Sequence, residues 1–412
     1  MKVAGIIAEY NPFHNGHKFH MEEVKRITGA DYLVVVMSGN FTQRGTPAII
    51  DKYARAKMAL SSGADLVIEI PTCYATGSAE YFSAGAIALL DKIGVVDSIC
   101  FGSECGDILK LEEIAKILAD EPALYQKVLK QELRSGKTFP IARKSALEQT
   151  IKDFATYSDV IQSPNNILGI EYIKNIIRQD SSLNYYTNKR IGSGYHDHRF
   201  SPVGFSSAIS IRQALASSLD LSKIKDQLPT PALEILEQNF EKRFPIFAND
   251  FSSLLKYKLL LESGRGYERF LDVTSDLSDR ITNQFNEIRD FEQFCEHIKT
   301  KDITYARTSR CLGHILLDIK KSKVQKYMDA GIVFYARVLG FKDSSNILLK
   351  QIKEKGSIPL ITQCAQAKEL LSPIGLDQFE KDIQASHIYE SLIHDKFDTL
   401  FQNEYQRQIQ KM

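Results

Sequence analysis

Residues 3–20, VAGIIAEYNPFHNGHKFH, decide the fold of this 412-residue chain. The run Val3–Ala8 is apolar without alternation, which is typical of a strand that is buried on both faces of a sheet. A turn that contains Pro12 follows, and apolar residues then recur with helical spacing in residues 17–27. A buried strand that leads directly into a helix is the opening unit of an α/β fold.

The same order of strand and helix repeats along the first hundred residues. Further apolar runs lie at residues 32–37 (YLVVVM), 66–70 (LVIEI) and 95–101 (VVDSICF), and helical spacing recurs at residues 51–62 and 79–92. Because crossovers between parallel strands are right-handed, this order predicts a Rossmann-like parallel sheet. Ligands of such sheets bind at the carboxyl ends of the strands. The polar segments at those ends are residues 9–17, 38–47, 71–78 and 102–107.

The segment His14-Asn15-Gly16-His17 follows the first strand. Gly16 permits a phosphate to approach the backbone closely, and the next helix aims its N-terminal N–H groups at the same point. His14 and His17 lie on one face of a helical turn and can stabilise an α-phosphate as charge builds in a transition state. The alternative is a plain turn with exposed histidines. The position after the first strand favours the catalytic interpretation.

A second motif, SSAISIR at residues 206–212, is rich in hydroxyl groups and leads into a helix with a basic residue in its first turn. Such a segment can hold the β- and γ-phosphates of a nucleotide. Taken alone, its serines fit the N-cap of a helix equally well. The combination with the histidine motif favours phosphate binding.

Together the two motifs resemble the HIGH-motif nucleotidyltransferase superfamily. The chain is similar in particular to the tRNA(Met) cytidine acetate ligase family, through GIIAEYNPFHNGHKFH, SGNFTQRGTPAIIDKYARAKMAL, ADLVIEIP, FGSE, SPNNILGIEY and TYARTSR. That family is understood to form acetyl-adenylate from acetate and ATP, and then to acetylate N4 of the wobble cytidine of elongator tRNA(Met), giving N4-acetylcytidine. The resemblance therefore implies an ATP-dependent ligase whose partners are acetate and tRNA.

The resemblance also implies the site residues, with His14 and His17 as the catalytic pair. The ATP contacts that it implies are Ile7, Ala8, Glu9, Tyr10, Asn11, Pro12, Phe13, Asn15, Gly16, Lys18, His20, Gly102, Asn165, Asn166, Arg190, Ile191, Ser206, Ser207, Ser210 and Arg212. Gln43 and Arg44, after the second strand, suit a carboxylate, phosphate or nucleotide contact. An exposed arginine in a mobile loop is the alternative for Arg44, and a plain tight turn is the alternative for Gly102.

From about Ile209 onward the pattern is mainly helical. We predict a nucleotidyltransferase domain at residues 1–218 and a mainly helical, tRNA-binding domain at residues 219–412. Residues 299–355 hold 13 basic and 5 acidic residues, in a chain whose totals are 52 and 51. The predicted tRNA contacts are Arg307, Arg310, Lys320, Lys321, Lys323 and Lys326. The segment also holds Arg337 and the tyrosines Tyr305, Tyr327 and Tyr335, whose rings are expected to stack on unpaired bases. Without the resemblance, a solvated helix face would explain the charges.

Bulk properties favour a soluble cytoplasmic protein with no membrane partner. The resemblance implies tRNA as the nucleic-acid partner, and no DNA partner is expected. The six cysteines form no C-x-x-C pair and are expected to be buried thiols in a reducing compartment. No apolar run approaches the ~20 residues of a membrane span, and the N-terminus lacks the pattern of a signal peptide. Mg²⁺ is expected only as the companion of ATP. YHDH at residues 195–198 lacks a third ligand, so no protein-bound metal is predicted.

Three functions fit the sequence. The first is an ATP-dependent RNA-modifying ligase. The second is a small-molecule nucleotidyltransferase or a pantothenate-synthetase-like acyl activator, against which the basic, helical second half argues. The third is a non-catalytic RNA-binding protein, against which the intact histidine and serine motifs argue.

Overall fold

The computed structural model describes residues 1–191 and 205–412. These residues build one sheet of eight strands: β1 (Val3–Ala8), β2 (Tyr32–Ser38), β3 (Leu66–Ile70), β4 (Ser98–Ser103), β5 (Asn184–Lys189), β6 (Ala336–Phe341), β7 (Leu360–Ile361) and β8 (Gln410–Lys411).

The strand order is β5-β4-β1-β2-β3-β6-β7, and β8 also pairs with β6. Strands β1 to β5 are all parallel, which confirms the predicted Rossmann-like sheet. Side chains of β2 alternate between two cores: Val34 and Val36 pack into one, and Leu33 and Val35 pack into the other. Both faces of the sheet are therefore covered, and this explains why its strands read as continuous apolar runs.

Helices cover the sheet and form most of the second half of the chain. They are α1 (Asn15–Thr28), α2 (Lys52–Ser61), α3 (Thr72–Ala75), α4 (Ala79–Lys92), α5 (Ile108–Asp120), α6 (Ala123–Arg134), α7 (Phe139–Thr150), α8 (Pro164–Arg178), α9 (Ala208–Ser218), α10 (Thr230–Asn239), α11 (Ser252–Glu262), α12 (Ser275–Gln284), α13 (Phe291–Ile298), α14 (Tyr305–Leu316), α15 (Lys321–Ala330), α16 (Asn346–Lys355), α17 (Ala367–Leu370) and α18 (Pro373–Phe397).

The second half of the chain also contributes strands to the sheet, which the mainly helical pattern did not predict. β6 is buried along its whole length and runs antiparallel to β3, with Gly340 opposite Val67. Its sequence, ARVLGF, contains Arg337 and Gly340, which interrupt the apolar run that marks the other buried strands. The domain boundary at residue 218 stays a prediction, and β6 makes the sheet continuous across it.

A buried charge cluster, consisting of Lys52, Glu69, Arg337 and Glu404, holds the two halves together. The Lys52 ammonium lies 2.8 Å from Glu69 and 2.8 Å from Glu404. Arg337 lies 3.2 Å from Glu69 and also pairs with Glu404. All four side chains are buried, so two cations and two anions balance one another inside the core.

Two expectations drawn from composition can be compared with the structure. All six cysteines are free, and five of them are buried, as expected for small core residues. Within the described ranges, no helix has the length and apolar character needed to cross a membrane.

Candidate active site

The HNGH segment forms the start of α1, where His14 is the N-cap residue. The Gly16 N–H donates to Nδ1 of His14 (3.1 Å), and the His14 N–H donates to Nδ1 of His17 (3.2 Å). Because Nδ1 accepts in both rings, the proton of each neutral imidazole resides on Nε2. The two rings stack with their centroids 3.7 Å apart. The local fold therefore presents two Nε2–H donors side by side.

Both catalytic candidates are uncharged at neutral pH. Burial, followed by the charges of Arg190 and Arg212, lowers the pKa of His14 to about 3. Burial and then the neighbouring His14 lower the pKa of His17 well below its ordinary value. Burial likewise lowers the pKa of His20 to about 4. The imidazoles can thus donate hydrogen bonds as neutral groups, and the positive charge beside them comes from Arg190 and Arg212.

A cavity of about 240 Å³ lies over the carboxyl ends of the parallel strands, beside these rings. Most predicted site residues line it: Ile7, Ala8, Glu9, Tyr10, Asn11, His14, Gly16, His17, His20, Gln43, Arg44, Gly102, Asn165, Arg190, Ile191, Ser206, Ser207 and Arg212. The fold therefore brings together segments that are separated by as much as two hundred residues in the chain. Their roles toward ATP stay predictions.

The predicted ATP contacts that are not among the lining residues are Pro12, Phe13, Asn15, Lys18, Asn166 and Ser210. Phe13 is buried in the core beside Tyr10, with ring centroids 4.8 Å apart. Lys18 is exposed, and the Asn15 side chain donates to the carbonyl of Asp226 (3.0 Å). Phe13 and Asn15 thus anchor the histidine loop.

Asn165 and Asn166 clamp the loop that follows β4. The Asn165 amide donates to one carboxylate oxygen of Glu104 (2.7 Å), and the Asn166 backbone N–H donates to the other (2.9 Å). The side-chain oxygen of Asn166 accepts from the backbone N–H of Glu104 (2.9 Å). Asn166 thus fixes the loop, while Asn165 also faces the cavity.

The sequence left two interpretations of the serine motif open, the N-cap of a helix and a phosphate-binding segment, and the structure is compatible with both. Ser207 is the N-cap of α9, and its hydroxyl accepts from the Ser210 N–H (3.1 Å). Ser206, Ser207 and Arg212 line the cavity as well. Arg212 donates to the carbonyl of Asn11 (2.6 Å), which joins the serine motif to the histidine loop.

The loop after β2 is fixed from two sides. The Gln43 N–H donates to the carboxylate of Glu9 (2.7 Å), at the end of the first strand. The buried guanidinium of Arg55 donates to the carbonyls of Glu9 (2.7 Å), Ser38 (3.0 Å) and Gly39. Arg55 thus joins the ends of β1 and β2, so Gln43 and Arg44 belong to an ordered loop.

Helix α14 packs directly against this loop. Gly45 has φ +70°, and a Cβ atom there would lie 2.5 Å from the Cα of Arg310. In the same way, a Cβ atom on Gly313 would lie 2.4 Å from the carbonyl oxygen of Gly45. Only glycine permits this approach of the two backbones. The helix that carries the predicted RNA contacts Arg307 and Arg310 therefore backs onto the cavity loop.

The predicted tRNA-binding cations lie on α14, on α15 and between them. Lys321 and Lys326 are exposed, and Arg307, Arg310, Lys320 and Lys323 are partly exposed. Acidic neighbours offset some of these charges: Asp272 lies 3.5 Å from Arg310, Asp377 lies 2.7 Å from Lys323, and Asp318 lies 3.3 Å from Lys320. Arg307, Lys321 and Lys326 are the better candidates for phosphate contact.

The expected stacking of tyrosines on RNA is wrong for two of the three rings. Tyr327 and Tyr335 are buried in the core, together with Arg337 of the charge cluster, and Tyr305 is only partly exposed. Sequence spacing alone did not show that Tyr327 lies on the buried face of α15. Nor did it show that Tyr335 leads into the buried strand β6.

Sequence reasoning missed much of the cavity wall. The further lining residues include Phe19, Thr42, Thr46, Phe82, Phe101, Leu168, Tyr172, Asn188 and Phe205. In the sequence, aromatic residues within helices and strands have the pattern of ordinary core residues. Their pattern therefore did not indicate that they line a cavity. Asn188 lies opposite Gly102 in the pairing of β4 with β5, a register that only the folded sheet reveals.

Among the residues that the structure describes, no group of three or more His, Cys, Asp or Glu side chains could hold a metal ion. We predicted no metal site at the YHDH segment, residues 195–198, and this segment lies outside the described residues.

The parallel sheet, with a cavity at the turn after its first strand, is the architecture of a nucleotidyltransferase. A sequence profile of the family described as HIGH Nucleotidyl Transferase matches residues 1–404. A tRNA(Met) cytidine acetate ligase of Acetivibrio thermocellus is 42% identical over 393 residues, 94% of each chain. The ligase of the same name from Thermosipho melanesiensis is 37% identical over 424 residues, 99% of each chain.

Solved structures agree with the sequence comparison. Thermotoga maritima TmcAL in an apo form is 32% identical and matches this chain with a TM-score of 0.93, and the match covers 100% of both chains. The same protein bound with alpha-thio ATP matches with a TM-score of 0.90. This chain belongs to the tRNA(Met) cytidine acetate ligase family.

Proposed function

We propose that this chain activates acetate with ATP and transfers the acetyl group to N4 of the wobble cytidine of elongator tRNA(Met), giving N4-acetylcytidine. The observation that carries the proposal is the pair of Nε2–H donors of His14 and His17 at a cavity that Arg190 and Arg212 also line. The name of the relatives and the relative bound with alpha-thio ATP support the choice of substrates. The cytoplasm, where tRNA and ATP occur together, is the proposed location.

In the first step, a carboxylate oxygen of acetate bonds to the α-phosphorus of ATP, and the bond from that phosphorus to the pyrophosphate oxygen breaks. Charge on the α-phosphoryl oxygens is stabilised by the imidazole donors of His14 and His17. The departing phosphates are assigned to Ser206, Ser207 and Arg212, which line the cavity. There is little covalent chemistry for the protein to perform, so its contribution is positioning and charge stabilisation.

Mg²⁺ is proposed to enter with ATP. Glu9 is the carboxylate among the described lining residues, and the Gln43 N–H already donates to one of its oxygens. This sparse set of ligands fits an ion that keeps several waters and binds mainly to substrate phosphates. When bound, the ion would neutralise charge on the departing pyrophosphate.

In the second step, the exocyclic amine of cytidine attacks the acetyl carbon. The bond from that carbon to the AMP oxygen breaks, and the amine nitrogen loses a proton. Because α14 packs against the loop of Gln43 and Arg44, an RNA held by α14 and α15 would approach the cavity from the side of this loop.

Acetate-dependent pyrophosphate release, measured with and without tRNA, separates the three candidate functions. We expect release with ATP and acetate, and acetylated RNA once tRNA is added. A small-molecule nucleotidyltransferase would release pyrophosphate equally well with larger acids and leave tRNA unmodified. A non-catalytic RNA-binding protein would bind tRNA and release none.

Removing the charges of Arg307, Lys321 and Lys326 together, by Arg307→Ala, Lys321→Ala and Lys326→Ala, is expected to weaken tRNA binding. For every RNA phosphate that is no longer neutralised, the slope of the logarithm of the tRNA association constant against the logarithm of salt concentration should flatten by about 0.7–0.9. The affinity for tRNA at physiological salt should fall about tenfold or more. Acetyl-adenylate formation should be spared. Filter binding across a salt series measures the first effect, and pyrophosphate release measures the second.

Lys350→Ala is the matched control, because Lys350 is an exposed lysine of α16 in the same basic segment. Arg310 is left unchanged, since Asp272 already offsets its charge. An unaltered salt slope in the triple variant would place the RNA surface elsewhere.

A further inference from the structure

The cavity has a second half that the nucleotide motifs leave unused. In the order of the sheet, the residues predicted to hold ATP come from β1, β4 and β5 and from the start of α9. On the other side of β1 lie β2 and β3, which supply the loop with Thr42, Gln43, Arg44 and Thr46 and lead into α4 with Phe82. In an in-line displacement, the acid reaches the α-phosphorus from the side opposite to the departing pyrophosphate, for which Ser206, Ser207 and Arg212 are proposed.

Phe82 and Tyr172 add an apolar wall to the cavity, where the Tyr172 ring packs against Phe101 of β4 with ring centroids 5.6 Å apart. They come from α4 and α8, which are clamped together beside them: the Asn175 amide donates to the Ser83 hydroxyl (2.7 Å), and Lys174 lies 3.0 Å from Glu80. Both rings are almost fully buried, with 3% of Phe82 and 5% of Tyr172 exposed. A wall fixed in this way has little freedom to retreat from a longer ligand.

The polar side of the cavity is formed by the Glu9 carboxylate, Gln43 and Arg44, which line it together with Phe82 and Tyr172. That carboxylate accepts from the Gln43 N–H (2.7 Å), and Arg44 follows on the same loop. An arginine on one side and two aromatic rings on the other match a ligand with one carboxylate and one short apolar end.

We propose that Phe82 and Tyr172 form the closed end of an acyl subsite, opposite Gln43 and Arg44, and that Phe82 limits the acid to acetate. The proposal rests on the proposed function and adds to it the residue that sets the length of the acyl chain. The target cytidine is a poor occupant of this end, because a base stacks on an exposed ring face and these rings expose almost none.

Acid-dependent exchange of pyrophosphate into ATP, without tRNA, tests the subsite. For the wild-type chain and for Phe82→Ala and Phe82→Leu, kcat/KM is measured with acetate, propionate and butyrate. One methylene in an apolar pocket typically changes kcat/KM by about 10- to 200-fold. We expect the ratio of propionate to acetate to rise at least about tenfold in Phe82→Ala, with a smaller rise in Phe82→Leu.

The ratio of two acids on one enzyme preparation is independent of the fraction that is folded, so a destabilised variant still gives an answer. Ile87→Ala is the matched control: it removes a buried side chain of the same helix that is not among the cavity-lining residues, and it should leave the ratio unchanged. An unchanged ratio in both Phe82 variants overturns the subsite. No acetate-dependent exchange in the wild-type chain overturns the proposed function itself.

Discussion

Acetate-dependent pyrophosphate release is expected to fall by about 10²–10³-fold in His14→Asn and in His17→Asn, the cost of removing one preorganised donor from a developing anion. Asparagine keeps an acceptor near the position of Nδ1, so the Gly16 N–H and the His14 N–H retain their partners. Each substitution removes the Nε2–H donor that the imidazole presents to the cavity. Pyrophosphate release under saturating ATP and acetate measures the effect.

Two controls separate catalysis from structure in this experiment. His17→Gln places an amide N–H near the position of Nε2, so we expect it to be at least about tenfold more active than His17→Asn. The tRNA affinity and the melting temperature should change little in all three variants. A parallel loss of tRNA affinity and thermal stability would show that the histidines are structural.

Lys52→Met is expected to destabilise the fold by about 3–5 kcal/mol, because it leaves Glu69 and Glu404 buried with one cation between them. The Lys52 ammonium is within 3.0 Å of Glu69, Glu404 and the hydroxyl of Ser386, so one side chain joins β3, α18 and the C-terminal segment. Urea unfolding at pH 7 measures the loss. Lys57→Met, on the same helix but partly exposed, should change stability by less than about 0.5 kcal/mol.

The loss in Lys52→Met should also depend on pH. Burial alone would raise the pKa of Glu404, but Lys52 and Arg337 hold it well below its ordinary value. Stability gained from such a carboxylate is present above its unfolded pKa of about 4.3 and is lost as the pH falls toward the folded pKa. The difference between the variant and the wild-type chain should therefore shrink below about pH 4. A constant difference, or one under about 1 kcal/mol at pH 7, would contradict the role assigned to the cluster.

The sheet and the nucleotide end of the cavity could be predicted because their patterns are local. VAGIIA and YLVVVM have the apolar continuity of strands that are covered on both faces, and β1 and β2 begin where those runs begin. The HNGH segment carries its own conformation, since His14 caps the helix that it opens. A parallel sheet then brings the ends of its strands together whatever their separation in the chain.

Other features depend on partners that are distant in sequence. Arg337 looks like one more cation of a basic segment until β6 pairs with β3 and buries it against Glu69. Phe82 and Tyr172 look like ordinary helix core until α4 and α8 meet beside the cavity. Hydrophobic periodicity describes residues that are close in sequence, so it does not predict contacts that only tertiary packing creates.

The central claim is that the cavity activates acetate and that the acetyl group passes to RNA. The most direct test is mass spectrometry of nucleosides from tRNA(Met) incubated with the purified chain, ATP and isotopically labelled acetate. We predict a labelled acetyl group on cytidine that requires both ATP and acetate and is lost in His14→Asn. Unmodified tRNA(Met), in a reaction that still forms acetyl-adenylate, would contradict this claim.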